Sequence, residues 1–223
     1  MQNHFSQFSQ EFDIFELDIS IDESVKSFMN KIQEKYKYID VLINNAGVVD
    51  RRPTNSNIAN FTFQTNFLKT VELTENIFHN MLSNDGKILL ISSILGQLEH
   101  QTLEGRKILE NQNITKDYLF QLAEDYIKNS DFPQKLIFYQ QSYHTSKAFL
   151  NAYGRFILTK QLKNQQSLYI IHPGWVKTDM GGQQAEITLD EACPYICDIA
   201  CEFPFNRSVL NGKLIYKNKE IDF

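Results

Sequence analysis

Ile39-Asp40-Val41-Leu42-Ile43 runs directly into Asn44-Asn45-Ala46-Gly47. A short, almost continuous apolar run that ends in a glycine turn reads as a strand buried on both faces. Lys87-Ile88-Leu89-Leu90-Ile91, followed by Ser92-Ser93, and Ser167-Leu168-Tyr169-Ile170-Ile171, followed by His172-Pro173-Gly174, repeat that pattern. Gly212-Lys213-Leu214-Ile215-Tyr216 reads as a last strand.

Between these runs the apolar period changes to that of a helix. Asp22 or Ser20 can cap a helix whose face carries Val25, Phe28, Met29, Ile32 and Tyr36. Ile58 to Leu82 reads as a long helix stopped by Asn84-Asp85-Gly86, and Tyr143 to Leu162 as another. Thr188 or Asp190 starts a further helix. Residues 14–18 read as a short strand, and Phe5, Phe8 and Phe12 as part of a short helix or irregular segment at about 4–11. Strand and helix in alternation give an α/β fold, a Rossmann-like doubly wound parallel sheet. The polar stretch 97–139 is too long for a plain loop. It reads as an inserted, surface-lying helical segment, with Thr115 as cap and Leu119, Leu122 and Tyr126 on one face.

Composition narrows the function classes. The 223 residues carry 22 Lys and Arg against 27 acids, a formal charge of −5, with no basic block. A nucleic-acid surface is therefore not expected. No run approaches the ~20 apolar residues of a membrane span, and the start lacks the features of a signal peptide. A cytoplasmic protein without a membrane partner follows. Cys193, Cys197 and Cys201, spaced by four, are expected as free thiols buried along one helix face, with no metal site. Glycine is scarce: 9 in all, against roughly 16 expected at ~7 % usage. None precedes Gly47.

Ligands of such sheets bind beyond the carboxyl ends of the strands. There the chain places Asp18, Asn44 to Gly47, Ser92 and Ser93, and His172 to Gly174, with Asn66, Tyr143 and Lys147 on intervening helices. Tyr143 and Lys147 stand one helical turn apart.

Asn44-Asn45-Ala46-Gly47, Ser92-Ser93-x-x-Gly96, Tyr143-His144-Thr145-Ser146-Lys147 and Pro173-Gly174 together resemble the successive motifs of short-chain dehydrogenases/reductases. The similarity runs from about residue 12 to the C-terminus. His172 to Met180 and the insert before Tyr143 are similar to the carbonyl reductase subgroup, in which the insert covers a dimerising face, so a monomer is implied. The resemblance implies hydride transfer between NADPH and a ketone, aldehyde or quinone. It implies a catalytic tetrad: Tyr143 as proton donor, its pKa lowered by Lys147; Ser93, second of its pair, as holder of the carbonyl oxygen; Asn66 as anchor of a proton relay. Asp18, Asn44, Gly47, Tyr143, Lys147, Pro173, Gly174, Val176 and Thr178 are the implied cofactor-binding residues. A helix-capping role is the rival for Asp18. Gly181-Gly182 is a hinge candidate beside the pocket.

The family pattern opens with a strand, a Gly-rich pyrophosphate turn, a helix and a second strand. This chain reads as a single incomplete domain, residues 1–223, that starts near the third strand, about 50 residues into that pattern. NADP is the implied cofactor, and NAD stays open because the choice is normally made in the first two strands. Two rival readings stay open, and one consequence for the fold is expected. A non-catalytic remnant acting as a binding or scaffold protein is the rival function. The sequence start at an internal methionine of a longer protein is the mundane alternative. Strand 39–43 is otherwise an exposed edge; residues 14–18 are expected to move in and pair with it, cover by the Phe5, Phe8 and Phe12 segment being the alternative.

Overall fold

The computed structural model describes residues 12–163, 165–201 and 210–223. In chain order, α1 (Asp22–Lys35) leads to β1 (Ile39–Asn44). One long helical rod follows: α2 (Ser56–Phe63), a π-helical turn (Gln64–Leu68) and α3 (Lys69–Asn80). Then come β2 (Leu82–Ile91), α4 (Leu103–Leu109) and α5 (Lys116–Asn129). A second rod comprises α6 (Ser142–Ala152), a π-helical turn (Tyr153–Leu158) and α7 (Thr159–Gln161). Finally β3 (Ser167–Ile171), α8 (Leu189–Cys201), β4 (Leu214–Tyr216) and β5 (Lys219–Glu220) complete the order.

The sheet order is β1-β2-β3-β4-β5. The first three pairings are parallel, as read from the sequence. The last is not: β4 and β5 form an antiparallel hairpin. Lys217 and Asn218, both at positive φ, supply its two-residue turn. Asn84-Asp85-Gly86 lies inside a bulge, where the register jumps from Ile39↔Leu82 to Val41↔Lys87.

Alternate strand residues face opposite layers. Ile88, Leu90, Leu168, Ile170 and Leu214 pack under the two rods and α5, among Phe63, Phe67, Leu119, Tyr126 and Phe149. Leu89, Tyr169, Ile171 and Ile215 pack on the other face with Tyr195 and Ile199 of α8. That is the doubly wound arrangement.

Four expectations change. Residues 14–18 form no strand. Phe15 and Leu17, with Ile19 buried beyond them, alternate with exposed neighbours, but they turn onto Met29, Ile32, Leu73 and Ile77 of α1 and α3. The period of two marks extended backbone and not a ladder, because helix faces claimed the side chains. Among the described residues β1 therefore pairs with β2 alone. The helix expected at about 4–11 lies outside the described residues. Second, Ile21 holds the N-cap position of α1 with no side-chain cap. Third, the insert is helical but not surface-lying: Leu109, Leu119, Leu122, Ala123 and Tyr126 are core residues. Thr115 does cap α5, accepting from the Tyr118 N–H at 3.2 Å. Fourth, Cys193, Cys197 and Cys201 are free but exposed. Ala192, Tyr195, Ile199 and Ala200 form the buried face of α8, and the thiols occupy the opposite one.

Candidate active site

The carboxyl ends of β1, β2 and β3 open onto one cluster. Asn44 closes β1, and its Nδ2 is buried with no hydrogen-bond partner among the described residues. Next to it a Cβ added at Gly47 would lie 3.6 Å from Asn66 Oδ1 and 3.7 Å from Lys147 Nζ. The space beside this glycine is thus bounded by two polar groups from two different helices.

Asn66 stands in the π-helical turn, fully buried. π-Bulges reposition side chains and recur at functional sites. Its Oδ1 accepts from Val48 N–H at 2.8 Å, and its Nδ2 donates to Val48 O at 2.9 Å and Ser146 Oγ at 3.1 Å. The strand-end loop and the Tyr143 helix are both pinned by this one amide.

Lys147 projects from α6 into the same space. Its Nζ donates to Ile91 O at 2.9 Å and stands 5.9 Å from the Tyr143 ring centroid. Burial lowers its pKa to about 8. Tyr143 differs from expectation: burial raises its pKa, partly offset by a hydrogen bond with Ser93. The Lys147 ammonium is turned to the Ile91 carbonyl, and desolvation outweighs any charge effect on the phenol. Tyr143 is held as the neutral acid.

The two serines have separate work. The Ser92 hydroxyl donates to Asn151 Oδ1 inside the core. Ser93 faces Tyr143, and its Oγ also accepts from Leu95 N–H at 3.2 Å. The geometry therefore favours Ser93 over Ser92 beside the phenol.

After β3, burial lowers His172 to about 4, and its Nδ1 accepts from Gly174 N–H at 3.4 Å. Gly174 sits at φ +91°, following Pro173. Val176 bridges to Ile187, and Thr178 Oγ1 accepts from Gly181 N–H at 3.1 Å. This loop closes on itself: Trp175 Nε1 donates to Gly181 O at 2.9 Å. A Cβ at Gly181 would fall 1.9 Å from Val176 O, so this glycine is a tight-contact position. Arg51, beyond β1, donates to Met180 O at 2.8 Å and joins the two loops.

Asp18 stands apart. It is exposed, and its Oδ1 accepts from Ser20 N–H at 2.9 Å and from the Ser20 hydroxyl, in a turn ahead of α1. Among the described residues its hydrogen bonds run to Ser20 and Ser24 and none to the Asn44 cluster, so the local turn role is the one it fills here. Sequence reasoning missed Ser146, Asn151 and Arg51. Ser146 and Asn151 carry one signal, their positions on the helix that holds Tyr143 and Lys147; Arg51 carries none.

The family model for short chain dehydrogenase matches residues 1–103. Carbonyl reductase (NADPH) 3 of Rattus norvegicus and carbonyl reductase (NADPH) 1 of Homo sapiens are each 27% identical over 188 residues, 79% of this chain and 67% of theirs. In these matches the chain is similar to short-chain dehydrogenases/reductases over its first 103 residues, and to carbonyl reductases over most of its length. Solved structures agree on the fold. Salutaridine reductase from Papaver somniferum superposes with a TM-score of 0.74 at 21% identity, covering 89% of this chain and 80% of that one. The NADPH-bound carbonyl reductase from chicken fatty liver gives 0.65 at 21%, covering 95% and 77%. No described helix is long and apolar enough to cross a membrane. No cluster of metal-ligating side chains is present among the described residues.

Proposed function

We propose that this chain is an NADPH-dependent carbonyl reductase acting on a ketone, aldehyde or quinone. The observation that carries the reading is the convergence of Ser93, Tyr143 and Lys147 at the ends of β2 and α6, with Asn66 pinning the loop beside them. The orphaned Asn44 Nδ2 and the space at Gly47 fit the nicotinamide-ribose half of a dinucleotide. Asn44, Tyr143, Lys147 and the loop from Pro173 through Val176 to Thr178 would hold that half. Such a cofactor supplies hydride when bound.

The protein's own share is proton delivery and orientation. Tyr143, kept neutral by burial, donates its phenolic proton to the substrate oxygen. The Ser93 hydroxyl holds that oxygen within reach of the phenol. Lys147 keeps a positive charge near the tyrosinate that donation leaves behind. An ammonium has three donors, and Ile91 takes one of them. Asn66 fixes the positions of Val48 and Ser146, and so the relative placement of loop and helix. On the same reading the chain works as a single Rossmann-like domain, monomeric and cytoplasmic. Packing of the 97–139 insert onto the core near α2 and α6 supports the monomer.

The test is NADPH oxidation with an aromatic aldehyde or a quinone as substrate. Tyr143→Phe is expected to cost about 10²–10⁴-fold in kcat while NADPH binding persists. A chain that binds no NADPH at millimolar concentration, or a Tyr143→Phe variant as active as the parent, overturns the reading and favours a non-catalytic binding role.

A further inference from the structure

Tyr143, Lys147 and Asn151 are spaced by four along α6 and share one face. Asn151 is fully buried. Its Oδ1 accepts from the Ser92 hydroxyl, and its Nδ2 donates to Gly96 O at 3.1 Å. One amide thus ties both ends of the Ser92–Gly96 turn, with Ser93 between them. Ser92 is held a second time, by its N–H on Ile171 O at 2.7 Å.

The clamp has a directional consequence. Ser93 is extended, at φ −155° and ψ 150°. In extended backbone, neighbouring side chains point to opposite sides. Holding the Ser92 hydroxyl inward turns the Ser93 hydroxyl outward, to the Tyr143 side. Gly96 lets the turn lie flat on the helix: a Cβ there would meet the Lys147 carbonyl carbon at 2.8 Å and Asn151 Nδ2 at 2.9 Å.

We propose that Asn151 is a positioning residue, which aims Ser93 at Tyr143 by clamping both ends of the Ser92–Gly96 turn. Its effect on turnover rests on the reductase reading above; its effect on the Ser93–Tyr143 contact does not.

Two measurements separate those dependences. The first is the 13Cζ shift of Tyr143 at neutral pH, assigned with Tyr143→Phe, which reports hydrogen bonding to the phenol. Asn151→Ala is expected to move this signal in the same sense as Ser93→Ala. Asn151→Asp keeps the size and the acceptor for Ser92 but sets an acceptor against Gly96 O. It is expected to move the signal the same way, and serves if the alanine variant does not fold. A signal unmoved in the folded Asn151 variants but moved in Ser93→Ala overturns the proposal.

The second measurement is kinetic. Asn151→Ala is expected to lower kcat about 10²-fold, as misplacement of a reacting group does, with the Kd for NADPH unchanged. In the Ser93→Ala background the same change is expected to cost nothing further. A loss that repeats in full in that background marks a merely structural role and overturns the proposal. A parent chain without turnover removes the reductase reading and leaves the Tyr143 signal to decide on Asn151.

Discussion

Lys147 shows what burial does to an ionisable side chain. Its pKa falls from 10.5 to about 8 because the interior disfavours the ammonium. Below pH 8 the lysine is protonated in both folded and unfolded chains, and the folded state bears the full desolvation cost, on the order of 3 kcal/mol. Between about pH 8 and 10.5 the unfolded chain binds more protons, so this cost is relieved as pH rises. Lys147→Met removes the titration. The variant is expected to gain stability relative to the parent at pH 7, and that advantage is expected to shrink as pH climbs toward 10. Urea melts across this range check it, and an advantage independent of pH would refute it. Tyr143, Lys147, Ser93 and Asn66 are singled out by the family resemblance; the four-residue spacing of Tyr143 and Lys147 by itself reads more readily as a surface pair. The direction of the Tyr143 shift was not legible, because desolvation is set by everything packed around the phenol. Asn151 and Arg51 were hidden for a related reason: their hydrogen bonds join residues dozens of positions apart.

Elements were legible where their apolar period matched their final partners. β1, β3 and both long rods stand close to where the sequence placed them, whereas β2 begins at Leu82, ahead of the strand expected from Lys87. The π-helical turns inside the rods left no trace in the period, although one of them carries Asn66. The insert was read as a surface layer because it is polar overall. Its few apolar residues are concentrated on one face of α5, and that face enters the main core. Leu119 has no exposure at all. Leu119→Ala is expected to destabilise the protein by about 2–5 kcal/mol. For a chain of this size each kcal/mol lowers Tm by about 2–4 °C. Because α5 shares its core with β2 and β3, the melt is expected to remain a single transition shifted downward. An early separate transition with the main Tm unchanged would show that the insert is an independent layer. The cysteines teach the converse: spacing by four named their common face correctly but not which way α8 would turn it. Tyr195 and Ile199 decided that by filling the sheet's second layer.

At the level of the whole molecule, the sheet ends in two unlike edges. One is closed by the short β4–β5 hairpin, whose tip carries Lys217 and Asn218. The other is β1, which among the described residues has β2 as its sole neighbour. Residues 14–18 cannot serve there, since their apolar side chains are committed to α1 and α3. An unpaired strand edge with apolar side chains is a template for pairing with another chain. Tyr38 and Ile43 are both exposed along or beside it, Ile43 to 45%. Ile43→Lys places a charge on that edge at a position where little burial is lost. The working unit stays a monomer, but at high concentration the 223-residue chain is expected to associate non-specifically through this edge, and Ile43→Lys is expected to suppress that association with Tm unchanged. Dynamic light scattering over a concentration series, with a thermal melt beside it, measures both. Association that is equal in parent and variant would locate the sticky surface elsewhere, whereas a fall in Tm would mean that Ile43 packs against something that shields it.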